Sequence, residues 1–326
     1  MRSFFIIVNP YANEGQSGLN WQKVQARLDE LNIDYQVHQT KKSGDANKIA
    51  YQFASQQTAV SSKHWVVLVV GGDGTLNDVL TGIKKAKTVD LPLAFIPSGS
   101  NNAFALGLGI AADPLLALQQ VLDCTEITYY DIGSFVETTH AEQGFFLNDF
   151  GIGIDAYIVS LNERLAFKEK FDKFHLGFIP YLYNLFKAYM NQEAFAVTVR
   201  IGSKYEFYRH AYLVNVANHP YYDGGIILSP KADATDHQLD LLIAENMGFL
   251  KYVLFTLMMK FQRHTKLPFV HHYKNKEIHL IINSLEYGQV DGQEHGSQYY
   301  DLYFNVNKYP FWMNIQSIAV SERLTK

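Results

Sequence analysis

Five consecutive residues, Gly71-Gly72-Asp73-Gly74-Thr75, have the types and spacing to bind and position phosphate. Glycines permit backbone angles that a Cβ forbids, and they let anionic oxygens approach main-chain N–H groups. Asp73 offers a carboxylate to a hard cation such as Mg²⁺, directly or through water. Thr75 offers a hydroxyl proton to a phosphate oxygen. The apolar run 65–70 comes just before, and a helical pattern over 77–87 follows. The turn therefore lies between a buried strand and a helix start, whose partial positive end favours anions. The plain alternative is an ordinary glycine turn with Asp73 as a helix cap. The strand before, the helix after and Thr75 argue for phosphate. There is no Gly-Lys-Ser/Thr and no spaced Gly-x-Gly-x-x-Gly, so this is neither a Walker A loop nor a dinucleotide fingerprint.

The surrounding pattern supplies a scaffold for such a turn. Residues 4–8 form a short continuous apolar run, as in a strand covered on both faces. From Ser17, a plausible N-cap, Trp21, Val24, Leu28 and Leu31 recur at helical spacing. Strand over 35–40, helix over 45–56, strand over 93–96 and helix over 101–108 continue the alternation. Strand–helix alternation implies parallel pairing with right-handed crossovers, and ligands then sit beyond the carboxyl ends of the strands. After Asp131 the alternation stops. Segments 145–150, 196–201, 210–216, 239–244, 277–282 and 299–306 read as strands, and the aromatic residues concentrate after residue 129. Two helical patterns interrupt them, one near 180–191 and one over 247–262 with a wide apolar face. The expectation is an α/β nucleotide-binding domain followed by a β-rich sandwich.

Composition narrows the partners. The chain has 326 residues and a formal net charge of −4, which argues against a nucleic-acid binder with a broad basic surface. One cysteine, Cys124, excludes an intramolecular disulfide framework and reads as a small core residue. The apolar start is too short for a leader and meets no small-residue cleavage site. No uncharged apolar run is long enough to span a bilayer, so the expected location is the cytoplasm.

Several turns, taken together in order, carry a family resemblance. They are Asn9-Pro10, Thr40 with Gly44-Asp45-Ala46, the Gly71 to Thr75 turn, Pro97-Ser98-Gly99-Ser100-Asn101-Asn102-Ala103-Phe104-Ala105, Gly151-Ile152-Gly153-Ile154-Asp155-Ala156, Gly224-Gly225 with Pro230-Lys231-Ala232, and Val290-Asp291-Gly292. The chain thereby resembles the diacylglycerol kinase catalytic family over nearly its whole length. That group also holds sphingosine kinases and bacterial soluble lipid kinases, and it shares a parallel-sheet nucleotide fold with NAD kinases and phosphofructokinases. The resemblance implies an ATP-binding domain over 1–128, with 309–326 returning to it, and a lipid-substrate β-sandwich over 129–308. It implies ATP between the domains, held by Asn9, Thr40, Gly71, Gly72, Asp73, Gly74, Thr75, Asn77, Asp78 and Ser100. It also implies Mg²⁺ at Asp73 and a lipid hydroxyl as acceptor, with the protein peripheral at a membrane surface that presents the lipid. Bacterial members suggest a second, structural Mg²⁺ site at Asp233, Asp236 and the backbone of Gln238. A polar turn capping the next strand is the equal alternative, since His237 stands where the family usually has glycine.

Departures from the family pattern matter as much. Its Asp-Gly-Glu is Asp291-Gly292-Gln293 here, followed by Glu294. In bacterial relatives that glutamate is the proposed general base, and a glutamine cannot take a proton. Asp73 could act as base, Asp291 or Glu294 could substitute, or the chain could have lost turnover. Ala103 and Ser100 resemble the sphingosine-kinase version of their turn, and Glu14 replaces a usual basic residue, which weakens the case for diacylglycerol as the specific substrate. NAD kinase is the rival enzyme, and a non-catalytic nucleotide- or lipid-binding regulator is the rival from another class. The histidines 264, 271, 272 and 279 read as solvated or capping groups more readily than as a metal site. The helix over 247–262 is expected to pack on the sandwich more readily than to lie on a membrane, because only Lys251 and Lys260 are cationic within it. The Lys168, Lys170 and Lys173 cluster reads as a solvated face. An exposed strand edge in either domain would allow a homodimer.

Overall fold

The computed structural model describes residues 2–164, 186–187, 189–222 and 225–324. The 168–173 cluster, Leu182, Tyr183 and Gly224 lie outside them. The chain divides into two compact units. One runs to Ile132 and resumes at Asn307; the other comprises Gly133–Tyr222 and Ile226–Val306.

The first unit alternates strands and helices: β1 Ser3–Val8, α1 Gln16–Glu30, β2 Tyr35–Gln39, α2 Asp45–Ser55, β3 Trp65–Gly71, α3 Asp73–Ala86, β4 Leu93–Pro97, α4 Ala103–Leu108 and α5 Pro114–Leu122. The strands pair in parallel in the order β4-β3-β1-β2. β1, β3 and β4 are buried along nearly their whole length, which is why they read as continuous apolar runs. β2 is the outer strand and mostly exposed, so it carries Gln36, His38 and Gln39. Asp113 caps α5, accepting from the N–H groups of Leu115 and Leu116. The end of the chain belongs to this unit. Trp312 N–H donates to Leu93 O at 2.7 Å, the Gln120 side chain donates to Ile315 O at 3.2 Å, and Leu324 N–H donates to Ile110 O at 3.2 Å. Cys124 is buried, as expected of a core residue.

The second unit contains β5 Thr128–Glu137, which enters it from the first, then β6 Glu142–Phe146, β7 Asp149–Gly153, α6 Ile154–Arg164, β8 Phe195–Ile201, β9 Lys204–Ala217, β10 Tyr221–Tyr222, β11 Ile226–Ile227, β12 Leu239–Glu245, α7 Phe249–Lys260, β13 Val270–Asn275, β14 Glu277–Val290 and β15 Gln293–Phe311, which leads back out. The long strands β9 and β14 make the sandwich. The first half of each pairs with β8, and the second half of each pairs with β7. Each strand thus passes from one layer to the other, helped by register shifts within β14 and in the β8–β9 pairing. Val197, Val199, Leu280 and Phe304 share one core with Phe150, Val214, Val216 and Leu241.

Three expectations change. The segment 145–150 is the end of β6 and the start of β7, separated by Leu147 and Asn148. β13, with its His271-His272, is an extra strand. Its histidines pair with β12 carboxylates, His271 with Glu245 at 3.0 Å and His272 with Asp240 at 2.5 Å. His279 pairs with Asp301 at 2.6 Å and His264 with Leu228 O at 2.7 Å, so each histidine has its own partner. The third change concerns α7. Only Tyr252 and Phe255 of this helix are buried, while Leu250 is 82% exposed, Leu257 56% and Phe261, just past the helix, 67%. The helix does pack on the sandwich as expected, with Tyr252, Phe255 and Met259 against Leu213, Leu242 and Val270, but through one narrow stripe, and most of its wide apolar face is exposed.

Candidate active site

In the first unit the ends of four parallel strands bring Asn9, Thr40, Gly72 and Ser98 to one edge of the sheet. Backbone bonds set their spacing: Asn9 N–H donates to Val70 O at 2.9 Å, Thr40 N–H to Val8 O at 2.9 Å and Ser98 N–H to Gly71 O at 2.7 Å. α3 begins at Asp73, four residues before the sequence pattern suggests, so Asp73, Gly74 and Thr75 form its first turn. The N–H groups of a first turn have no carbonyl partner inside the helix and are available to an anion.

The glycines act through space more than through backbone angle. Gly71, Gly72 and Gly74 all lack positive φ. A Cβ on Gly72 would lie 3.2 Å from Gly99 Cα, and one on Gly99 would lie 2.5 Å from Gly72 Cα. Two glycine turns therefore touch back to back where no side chain fits. Gly99→Ala is expected to push them apart, costing about 1–3 kcal/mol of stability and raising the KM for ATP more than it lowers kcat. Thermal unfolding and initial rates measure the two effects.

Side chains lock this edge. Asn9 Nδ2 donates to Thr75 Oγ1 at 3.1 Å, which leaves the threonine proton free to be donated elsewhere. Asn20, on α1, donates to Ser98 Oγ at 3.2 Å, and both are buried. Asp73 Oδ2 accepts the Phe104 N–H at 3.2 Å, so the start of α4 orients this carboxylate. Asn102 accepts from Gly99 N–H and donates to Gly99 O, closing the turn that presents the exposed Ser100. Asn77 accepts from Thr81 at 3.2 Å. Burial raises the Asp78 carboxyl above its usual range, opposed by Lys85. Asn20 escapes sequence reasoning because a helical Asn carries no motif.

In the second unit, Asp291 and Gly292 form the two-residue turn joining β14 to β15, with φ of 50° and 77°. This pair of left-handed residues is what such a hairpin needs. The Asp291 carboxylate is buried and accepts three backbone N–H groups: Leu147 at 2.9 Å, Asn148 at 2.7 Å and Asp149 at 3.1 Å. It works as a clamp on the β6–β7 junction and is poorly placed to take a substrate proton. Gln293 follows the turn and is exposed.

Beside this clamp lies a polar cluster invisible in the sequence pattern. Asn215 Nδ2 and Gln289 Nε2 each donate to Asp149 Oδ2 at 2.6 Å. Asp155 is buried close by, its Oδ2 1.9 Å from where a Gly151 Cβ would stand. Burial, then the charges of Asp155 and Asp291, hold Asp149 well above the usual carboxyl range. Burial pushes Asp155 up to about 7, against the pull of the Ala156 N–H and the Gln289 and Asn215 amides. A carboxyl raised by folding keeps its proton longer in the folded state than in the unfolded one. The Asp155 contribution to stability should therefore fall as pH rises from about 4 to about 7, then level off. The Asp155 share is at most on the order of 4 kcal/mol. Urea midpoints across this window check it, and Asp155→Asn should flatten the slope.

Two cation positions can be weighed against these contacts. Asp73 suits Mg²⁺, which is commonly held by one carboxylate together with substrate phosphates. The Asp233 to Gln238 segment suits it less. Asp233 Oδ1 accepts both the N–H and the hydroxyl of Thr235, and Asp236 Oδ1 accepts Gln238 N–H at 3.0 Å. Asp236 Oδ2 is paired with the Lys274 ammonium at 2.5 Å. His237 has φ 61°, in the left-handed region that favours glycine. The contacts describe the polar-turn alternative, with Lys274 supplying the positive charge.

Parallel strands ending in glycine turns, followed by a β sandwich, fit the NAD kinase-like class of folds. Comparison with known proteins narrows the class. Residues 3–134 match the diacylglycerol kinase catalytic domain, and residues 151–302 match the YegS C-terminal NAD kinase beta sandwich-like domain. The chain belongs to the diacylglycerol kinase family of lipid kinases. It is 26% identical over 298 residues to the Bacillus subtilis protein named "Putative lipid kinase YtlR", covering 91% of this chain and 95% of that one. It is 27% identical over 297 residues to a diacylglycerol kinase of Staphylococcus saprophyticus, covering 89% and 88%. A crystal structure of a diacylglycerol kinase from Bacillus anthracis superposes with a TM-score of 0.66 at 21% identity, over 96% of this chain and 97% of that chain.

Proposed function

We propose that this chain transfers the terminal phosphoryl group of ATP to the hydroxyl of a membrane lipid, diacylglycerol or a long-chain base being the candidates. The observation that carries this reading is the Asp73 carboxylate in the first turn of α3, tied to Phe104 N–H and flanked by the Gly72–Gly99 contact. The N–H groups of that turn and the Thr75 hydroxyl hold phosphate oxygens, with Asn9, Thr40 and Ser100 around them. Bound Mg²⁺, with Asp73 as its protein ligand, would neutralise the charge that builds on the phosphates. Phosphoryl transfer depends mainly on positioning and charge neutralisation, so a weak base slows the reaction without abolishing it. With Asp291 committed to three N–H donors, Asp73 and Glu294 remain as the groups able to take the acceptor proton. The enzyme would work on the cytoplasmic side, peripheral to the membrane.

The test is radiolabelled ATP with Mg²⁺ and total membrane lipid, comparing wild type with Asp73→Asn and Gln293→Glu. Wild type should label a lipid band and leave NAD unlabelled. Gln293→Glu should raise the rate roughly tenfold or more by restoring a carboxylate. Labelling of NAD would favour the NAD kinase alternative. Nucleotide binding with no lipid labelled by wild type would identify a regulator, and a Gln293→Glu variant that then labels lipid would mark a lapsed kinase.

A further inference from the structure

α7 is apolar on its outward side as well as its inward one. Tyr252 and Phe255 pack inward, while Phe249, Leu250, Val253, Leu254, Leu257 and the following Phe261 are all exposed. At 100° per residue these six lie on one arc of about 140°. An exposed patch of this kind marks an interaction surface.

Charge selects the partner. From Asn246 to Lys276 there is not one Asp or Glu, although the whole chain carries a net charge of −4. The same stretch supplies Lys251, Lys260, Arg263 and Lys266, all exposed and in no ion pair among the described residues. Lys251 lies 5.2 Å over the Phe269 ring. The helix proper carries few cations, but the turn after it adds Arg263 and Lys266 to Lys260, beside Phe261. A second copy of this chain docking by the same face would bring like charges together with no carboxylate between them. An anionic bilayer offers the opposite charge and an apolar interior, the pairing that holds amphipathic helices at an interface.

We infer that α7 and the turn after it are a membrane-docking face, with Leu250, Leu254 and Leu257 entering the acyl boundary and Lys260, Arg263 and Lys266 meeting anionic headgroups. The inference takes its choice of partner from the lipid-kinase reading. Its test does not depend on catalysis.

The full-length protein is sedimented with vesicles of phosphatidylcholine alone, or of phosphatidylcholine mixed with phosphatidylglycerol. Wild type should pellet with the anionic vesicles and be released by salt. Leu250→Glu with Leu257→Glu should weaken this partition by at least about tenfold. Because both positions are exposed, thermal unfolding should be unchanged and labelling of detergent-dispersed lipid should persist. Wild type that ignores anionic vesicles overturns the docking face, as does a double variant that binds them equally well. A wild-type dimer that the double variant splits, seen by light scattering without vesicle binding, would reassign the face to a second copy. If vesicle binding follows expectation but no lipid is ever labelled, the kinase reading fails and the docking face stands.

Discussion

Asp73→Asn should lower the rate of phosphoryl transfer about a thousandfold, the scale seen when one preorganised electrostatic group is removed from a transition state. The substitution is nearly isosteric. The remaining carbonyl oxygen can still accept the Phe104 N–H that now bonds Oδ2 at 3.2 Å, so the α3 and α4 starts should stay in register. What is lost is the negative charge that, on the proposed reading, would hold a cation and, with Gln293 in the usual base position, would accept a proton as well. The N–H groups of the α3 first turn do not depend on that charge. ATP binding should therefore weaken little, and the loss should fall on kcat. Initial rates at saturating ATP, with nucleotide affinity measured separately, make the split visible. A fall of only a few-fold would move the metal and proton roles to another residue.

Asp291→Ala should cost the second unit about 3–5 kcal/mol of stability, because three buried backbone N–H groups would lose a charged partner at once. Those groups belong to Leu147, Asn148 and Asp149, the residues that separate β6 from β7. Asp291→Asn should cost less, since Oδ1 alone receives Asn148 at 2.7 Å and Asp149 at 3.1 Å, and an amide oxygen can keep both. Urea unfolding of the pair beside wild type measures the ordering. If the alanine variant is as stable as wild type, the clamp is ornamental and Asp291 is again open to a chemical role.

Most of the first unit was legible because its information is local. Buried parallel strands must be apolar on both faces, and 65–70 could hardly be anything else. The turn after β3 is legible, but the sequence explains its glycines by backbone angle and by the approach of an anion to the main chain. The fold needs them for the contact between Gly72 and Gly99, residues 27 positions apart. The start of α3 was set four residues late because Gly71 to Thr75 lacks helix formers. The second unit was harder. Long strands that bend between layers show no single periodicity, and β13 was missed because its histidines look polar until the β12 carboxylates stand opposite them. The Asp149, Asp155, Asn215 and Gln289 cluster draws on β7, α6, β9 and β14, so no sequence window contains it.

By itself, the order of residues determined a glycine-rich turn at the end of a parallel strand, a β-rich second half and Gln293 after the Asp291-Gly292 turn. Each is a property of a few neighbouring side chains and their backbone. Tertiary structure decided what distance along the chain conceals: that Asp291 is spent on three N–H groups, that two carboxyls are buried together, and that most of the apolar side of α7 stays exposed. Periodicity reports that a helix has an apolar face. Whether another surface covers that face depends on packing, which brings together residues far apart in the chain.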